Sequence, residues 1–195
     1  MQQNKTLYVN ISGGKFRGKK LLLPPLDNTR STKSILKSSY FNTLQFDIVD
    51  AIFVEVFAGS GSMGLEALSR GAKEAYFIEK DKNAFNILKK NCESLEGTKS
   101  TCYLGDTFKE LPKIAQTLKE PAYFYFDPPF DIRDGMADIY EKTITLLAAL
   151  PPSKVKLATF EHATSYKMPQ TIGDYELIKS KTFGNSSLKF YALKG

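Results

Sequence analysis

Two short motifs about seventy residues apart carry the side chains best suited to chemistry. One is Asp127-Pro128-Pro129-Phe130, directly behind the apolar run Tyr123-Phe124-Tyr125-Phe126. The two prolines fix the backbone and supply no N–H donors, so carbonyls and the Asp127 carboxylate form an acceptor-rich set suited to an exocyclic amino group. Phe130 can stack on the face of the ring that bears such an amine. An amine conjugated to a heterocycle is a poor nucleophile. Hydrogen bonds from both of its protons to these acceptors would raise electron density on nitrogen as it attacks, with Asp127 placed to take the released proton. The competing reading is an ordinary turn with a helix-capping aspartate.

The other motif is Glu55-Val56-Phe57-Ala58-Gly59-Ser60-Gly61-Ser62-Met63-Gly64, where Gly59, Gly61 and Gly64 form G-x-G-x-x-G between a strand and a helix. Small residues let the backbone approach a ligand closely, and a helix N-terminus offers N–H groups with no intrahelical partner. Glu79 ends the next strand, twenty residues after Gly59, where a carboxylate can accept hydrogen bonds from ribose hydroxyls. Asp106, in Leu104-Gly105-Asp106-Thr107-Phe108, follows a third strand and can read an adenine amino group, cap the next helix, or do both. This motif alone is equally a dinucleotide fingerprint, so NAD and S-adenosylmethionine (SAM) fit it alike. Asp127-Pro128-Pro129-Phe130 separates them. Between an apolar strand and two prolines Asp127 suits hydride transfer poorly, whereas an amine held beside an activated methyl group needs little more than in-line positioning. Methyl transfer from SAM to nitrogen is the expectation.

These residues must be positioned by a sheet. From residue 51 the chain alternates between strands (51–57, 74–79, 101–104, 122–126, 155–160) and helices (62–70, 81–94, 108–118, 136–150). Continuous apolar strands in that alternation predict a doubly wound, mostly parallel Rossmann-like α/β sheet covered on both faces. Segments 175–182 and 188–193 around Gly184-Asn185 read as a closing hairpin, which adds an antiparallel C-terminal strand. Ahead of this domain (48–195) lies an extension (1–47): a β-hairpin with strands at 7–11 and 19–23, ended by Pro24-Pro25, then a helix over 32–44 with Ser31 or Thr32 as cap.

Bulk properties exclude other classes. A length of 195 residues fits one core, and 42% hydrophobic with 25% charged residues is ordinary for a globular protein. The longest apolar stretches are strand-sized and no secretory pattern opens the chain, so a cytoplasmic protein without a membrane span is expected. Cys92 and Cys102 match no metal spacing, and the sole histidine, His162, has no nucleophile elbow to serve. Net charge is +6 and uneven: residues 1–37 carry eight basic side chains against Asp27 alone, while the rest is nearly neutral. A basic front end on a neutral body fits a phosphate-rich partner.

Together these residues resemble the amino-methyltransferase class of SAM-dependent enzymes, and within it the bacterial RsmD family, which methylates N2 of a guanine in 16S ribosomal RNA. The resemblance runs through Ser12-Gly13-Gly14-Lys15-Phe16-Arg17-Gly18-Lys19-Lys20-Leu21, similar to that family's N-terminal hairpin. It continues through residues 57–72 as the cofactor loop and helix, Asp127-Pro128-Pro129-Phe130 as the catalytic motif, and Phe183-Gly184-Asn185-Ser186 as the terminal turn. Three positions depart from the family pattern: Ser31 replaces a proline, Ser38 or Ser39 an acidic residue, and Glu55 an aspartate. The resemblance implies that Glu55, Phe57, Ala58, Gly59, Ser60, Gly61, Gly64, Glu79, Lys80, Asp106 and Thr107 hold SAM. It implies that Asp127 to Phe130 hold the flipped guanine, and that Arg17, Lys19, Lys20, Arg30, Thr32 and Lys33 grip RNA. The implied partner is 16S rRNA or the assembling 30S subunit, met by a monomer without metal. A DNA amino-methyltransferase would need a target-recognition domain for which the chain has little room. A protein-glutamine methyltransferase would leave the basic front end without a purpose. A non-catalytic RNA-binding protein is the alternative from another class.

Overall fold

The computed structural model describes residues 7–24, 30–129 and 138–195, without the side chains of residues 30–33. In chain order the elements are β1 (Leu7–Asn10), β2 (Lys20–Leu23), α1 (Arg30–Leu44), β3 (Ile52–Glu55), α2 (Ser62–Ser69), β4 (Glu74–Glu79) and α3 (Lys82–Glu93). They continue as β5 (Ser100–Leu104), α4 (Thr107–Thr117), β6 (Ala122–Phe126), α5 (Ile139–Ala148), β7 (Val155–Ala163), β8 (Thr171–Ile172), β9 (Tyr175–Phe183) and β10 (Ser186–Leu193). β1 and β2 pair antiparallel, Leu7 opposite Leu23. The remaining strands form one sheet in the order β5-β4-β3-β6-β7-β10-β9-β8.

β3 pairs in parallel with β4 on one side and β6 on the other, so the order reverses between β3 and β6. Ligands in open α/β sheets bind beyond the carboxyl ends of the strands at such a reversal. β3 and β6 are buried along their whole length because helices cover both faces. On one face Phe53, Tyr125 and Phe190 pack with Tyr40, Phe41 and Leu65. On the other, Val54, Phe124 and Phe160 pack with Leu111 and Leu147. β10 runs antiparallel between β7 and β9, and with β9 it forms the expected closing hairpin.

The N-terminal hairpin is fastened to the sheet domain by polar contacts as well as by the core that it shares. Ser12 donates its N–H and its hydroxyl to Glu66 of α2, both at 2.8 Å. Lys37 of α1 lies 3.3 Å from Glu66 Oε2, and Arg70 Nε donates to Oε1 at 2.8 Å. Next to this cluster the Ser12-Gly13-Gly14 turn is pressed against the end of α2: a Cβ on Gly14 (φ +78°) would fall 1.8 Å from the Ser69 carbonyl oxygen. Only glycine meets both the left-handed backbone and that approach. Asn91 of α3 clamps β2, accepting from Leu22 N–H and donating back to its carbonyl, each at 2.9 Å.

Two boundaries differ from the sequence reading in informative ways. α1 begins at Arg30, two residues before the predicted start. β7 runs three residues beyond the predicted end at 160, because β10 pairs with it as far as Ala163 and carries the polar residues Glu161 and His162 into the sheet. The short β8 was not predicted; two residues give no periodic signal. Among the described residues, no helix is long and apolar enough to cross a membrane.

Candidate active site

The site is built from the turn that leaves β3. Val56 N–H donates to the Tyr125 carbonyl at 2.9 Å and Ala58 N–H to the Ile78 carbonyl at 2.9 Å, holding the turn between β6 and β4. Gly61 caps α2 at φ +79°, where a side chain would strain the backbone and strike Leu88. A Cβ on Gly64 would fall 2.4 Å from the Phe77 ring, so the third glycine lets α2 lie close on β4. Asn91 extends its clamp to the loop by donating to the Ser60 carbonyl at 2.8 Å. One side chain therefore joins the glycine loop to the N-terminal hairpin.

Four carboxylates stand around this turn, each in a different setting. Glu55 is 4% exposed and accepts from Gly64 N–H at 2.8 Å and Met63 N–H at 3.3 Å, at the first turn of α2. Burial pushes its pKa up to about 8; the two N–H donors oppose the rise and the charge of Asp127 adds to it. Glu79 accepts from Gly59 N–H and from Asp81 N–H, both at 2.7 Å, which fixes its carboxylate against the glycine loop. Asp106 caps α4 by accepting from Phe108 N–H at 3.0 Å and meets Lys80 at 3.1 Å. Burial works to raise the Asp106 pKa, but the Lys80 ammonium and the Phe108 N–H outweigh it and hold it low. Asp127, half-buried, follows β6. Thr107 is buried, donating its hydroxyl to the Val56 carbonyl at 2.7 Å.

A cavity of about 390 Å³ opens where the sheet order reverses. It brings together Glu55, Phe57, Ala58, Gly59 and Ser60 with Asp127, under a rim from β1 and α1. Glu79, Lys80, Asp106 and Thr107 are outside its lining, at the end of β4 and the start of α4 and on the turns beside them. Gly61 and Gly64 shape α2 beneath it. Pro128 is buried and Pro129 exposed; Phe130 lies outside the described residues. Of the basic residues, Arg17 and Lys20 are exposed, while Lys19 turns its ammonium against the Ser94 carbonyl. The side chains of Arg30, Thr32 and Lys33 lie outside the described residues. Among the described residues no group of three or more His, Cys, Asp or Glu could hold a metal. Cys92 and Cys102 place their sulfur atoms 3.6 Å apart, away from the cavity.

Among the described residues that line the cavity without having been expected there, Lys37 and Glu161 are the charged ones. Glu161 is 3% exposed, and Tyr125 Oη donates to its Oε2 at 2.6 Å. Because Phe126 pairs with Phe160, Glu161 stands in β7 level with Asp127 just past β6. The available signal was a lone acid at the carboxyl end of the strand beside the acceptor motif.

The reversed strand order and the antiparallel strand inserted beside β7 make this a Rossmann-like fold of the methyltransferase kind, shared with a solved methyltransferase structure. More narrowly, the chain belongs to the family described as Conserved hypothetical protein 95, which it matches over residues 9–192. It is 32% identical over 185 residues to Ribosomal RNA small subunit methyltransferase D of Haemophilus influenzae, covering 94% of this chain and 93% of the relative. It is 37% identical over 139 residues to the Escherichia coli protein of the same name, covering 71% of this chain and 66% of the relative. Among solved structures it is similar to yhhF of Escherichia coli, a methyltransferase by its description, with a TM-score of 0.77 and 30% identity over 96% of this chain and 99% of that one.

Proposed function

We propose that this protein transfers a methyl group from SAM to N2 of a guanine in 16S ribosomal RNA, acting as a monomer on the RNA or on the assembling 30S subunit. The observation that carries the reading is that Asp127 shares one cavity with the glycine loop, at the sheet's order reversal. The names of the family's relatives support the RNA assignment.

In this reading the glycine loop from Phe57 to Gly61, with Glu55 beneath it and Gly64 letting α2 lie close on β4, takes the methionine part of SAM. Glu79 meets the ribose, and Asp106 with Lys80 and Thr107 frames the adenine. What SAM supplies when bound is a methyl group activated by its sulfonium. The chain's own residues hold the acceptor: Asp127 and the carbonyls of the adjoining prolines accept from the guanine amine and keep it in line, and Phe130 stacks on the ring. As the N–C bond forms and the S–C bond breaks, the amine proton passes to the Asp127 carboxylate. The extension 1–47 presents Arg17, Lys20, Arg30, Thr32 and Lys33 to RNA, and domain 48–195 carries the chemistry. Lys19, tied to Ser94, serves the hairpin's fold first.

The test is Asp127→Ala. Methyl transfer is expected to fall by about 10³-fold or more, beyond the loss from removing general-base assistance alone, because positioning goes with it. SAM binding, read by calorimetry, should stay within about threefold of wild type. Joint loss of SAM binding and transfer would remove Asp127 from the acceptor role.

A further inference from the structure

Among the described residues, three carboxylates, Glu55, Asp127 and Glu161, line the cavity. Glu55 is committed to the first turn of α2 through the N–H groups of Met63 and Gly64. Glu161 is set differently. It lies on the strand next to β6, level with Asp127, and on the same face as Tyr125 and Thr159, since paired residues on parallel strands project to one side. The 2.6 Å bond from the Tyr125 hydroxyl to Oε2 fixes the orientation of the carboxylate. Tyr125 is in turn held within a buried aromatic group, its ring 5.1 Å from that of Tyr40. A buried acid aimed from a rigid strand into a cavity, beside the residue that takes the reacting amine, is an acceptor with a fixed address.

We infer that Glu161 determines which base is methylated, by accepting the N1–H of guanine while Asp127 holds the neighbouring N2 amine; this rests on the function proposed above. Two adjacent carboxylates accept only. They are complementary to an edge that presents adjacent donors. Among the four RNA bases only guanine has that edge, N1–H beside N2–H₂. Adenine and cytosine place an acceptor nitrogen next to their amine, which would face the Glu161 oxygen lone pair to lone pair. Uracil has a single N–H between two carbonyls and no amine. Base choice therefore comes from the pairing of β6 with β7, which sets the two carboxylates side by side, as well as from the acceptor motif.

The experiment uses the full chain and small-subunit RNA assembled by ligation, with the target guanosine either kept or replaced by 2-aminopurine riboside. The analogue keeps the N2 amine but has no N1–H. Sites that hydrogen-bond a substrate N–H reject analogues lacking it strongly. Wild-type kcat/KM should therefore be lower for 2-aminopurine by about 10²-fold or more. Glu161→Gln should slow guanosine methylation by about 10-fold or more, leave the 2-aminopurine rate within about threefold, and leave SAM affinity unchanged. Tyr125→Phe, which frees the carboxylate without removing it, should show the same selective loss at a smaller size. Equal slowing of both substrates by Glu161→Gln would mark a merely structural residue and overturn the inference. So would a wild-type protein that methylates 2-aminopurine as fast as guanosine, a result that needs no variant to fold. Wild-type protein that binds SAM yet labels neither RNA would overturn the function proposed above, and this inference with it.

Discussion

Glu55 and Glu66 stand eleven residues apart and both are out of solvent, yet their partners drive them to opposite protonation behaviour. Glu66 is met by Lys37, Arg70 and the N–H and hydroxyl of Ser12. Burial would raise its pKa, but Lys37 first and then the Ser12 and Arg70 hydrogen bonds outweigh it and hold it below the usual value. Glu55 is met chiefly by two backbone N–H groups, so burial wins and its pKa climbs to about 8. Full charges compensate the lost hydration of a carboxylate; dipoles at a helix start do so only in part. The consequence is a division of labour. The Glu66 cluster is a charge-paired fastening between the N-terminal hairpin, α1 and α2, while Glu55, on the cavity wall, gains or loses its proton near neutral pH.

The largest effect should come from cutting the fastening. Glu66→Ala leaves the Lys37 ammonium, 3% exposed, without its carboxylate, and such uncompensated buried charges cost about 3–5 kcal/mol. Urea unfolding should show that loss. A change below about 1 kcal/mol would mean that the cluster is solvated in solution.

An effect that is smaller per pH unit separates the two acids by pH. Because the folded-state pKa of Glu55 lies above the ordinary 4.5, its unfavourable burial is absent below about pH 4.5 and grows as pH rises to about 8. Stability should therefore fall across that window, by at most about 1.4 kcal/mol per pH unit. Glu66 has the opposite sign: its folded-state pKa is depressed, so its contribution is present above pH 4.5 and lost as acid protonates it. Thermal melts from pH 2 to 9 should lose the decline between pH 4.5 and 8 in Glu55→Gln and keep the acid one. An unchanged decline in that window would assign it to another group.

The smallest effect on stability should come from basic residues outside the fastening. Reversing Arg17 and Lys20, both exposed, should leave the melting temperature alone. RNA affinity should drop, and the slope of log K against log salt should become shallower by about two if both contact phosphate. An unaltered slope would place the RNA surface elsewhere.

The contrast also explains what could be read from the sequence. β4 and β6 were legible to the residue, because a parallel strand covered on both faces must be a continuous apolar run. Asp81 and Asp106 marked the starts of α3 and α4 because each accepts from an N–H of the first turn. Glu66 carried no such mark. On a helix it reads as a solvated charge, and its partners Ser12 and Lys37 lie 54 and 29 residues earlier in the chain, where no local pattern records the contact. Glu161 was hidden for a related reason: a polar pair after an apolar strand reads as a strand end, until pairing with β10 carries the strand past it. The contact of the Lys19 ammonium with the Ser94 carbonyl likewise left no mark in the sequence.

Methyl transfer to a guanine amine is read at its product by following a labelled methyl group. SAM carrying a tritiated methyl group would be incubated with the protein and with small ribosomal subunits or bare rRNA from cells lacking the gene, and the product digested to nucleosides. Label in N2-methylguanosine is the predicted result, and the better substrate of the two reports the assembly stage. Label confined to another nucleoside, to DNA or to protein would contradict the account.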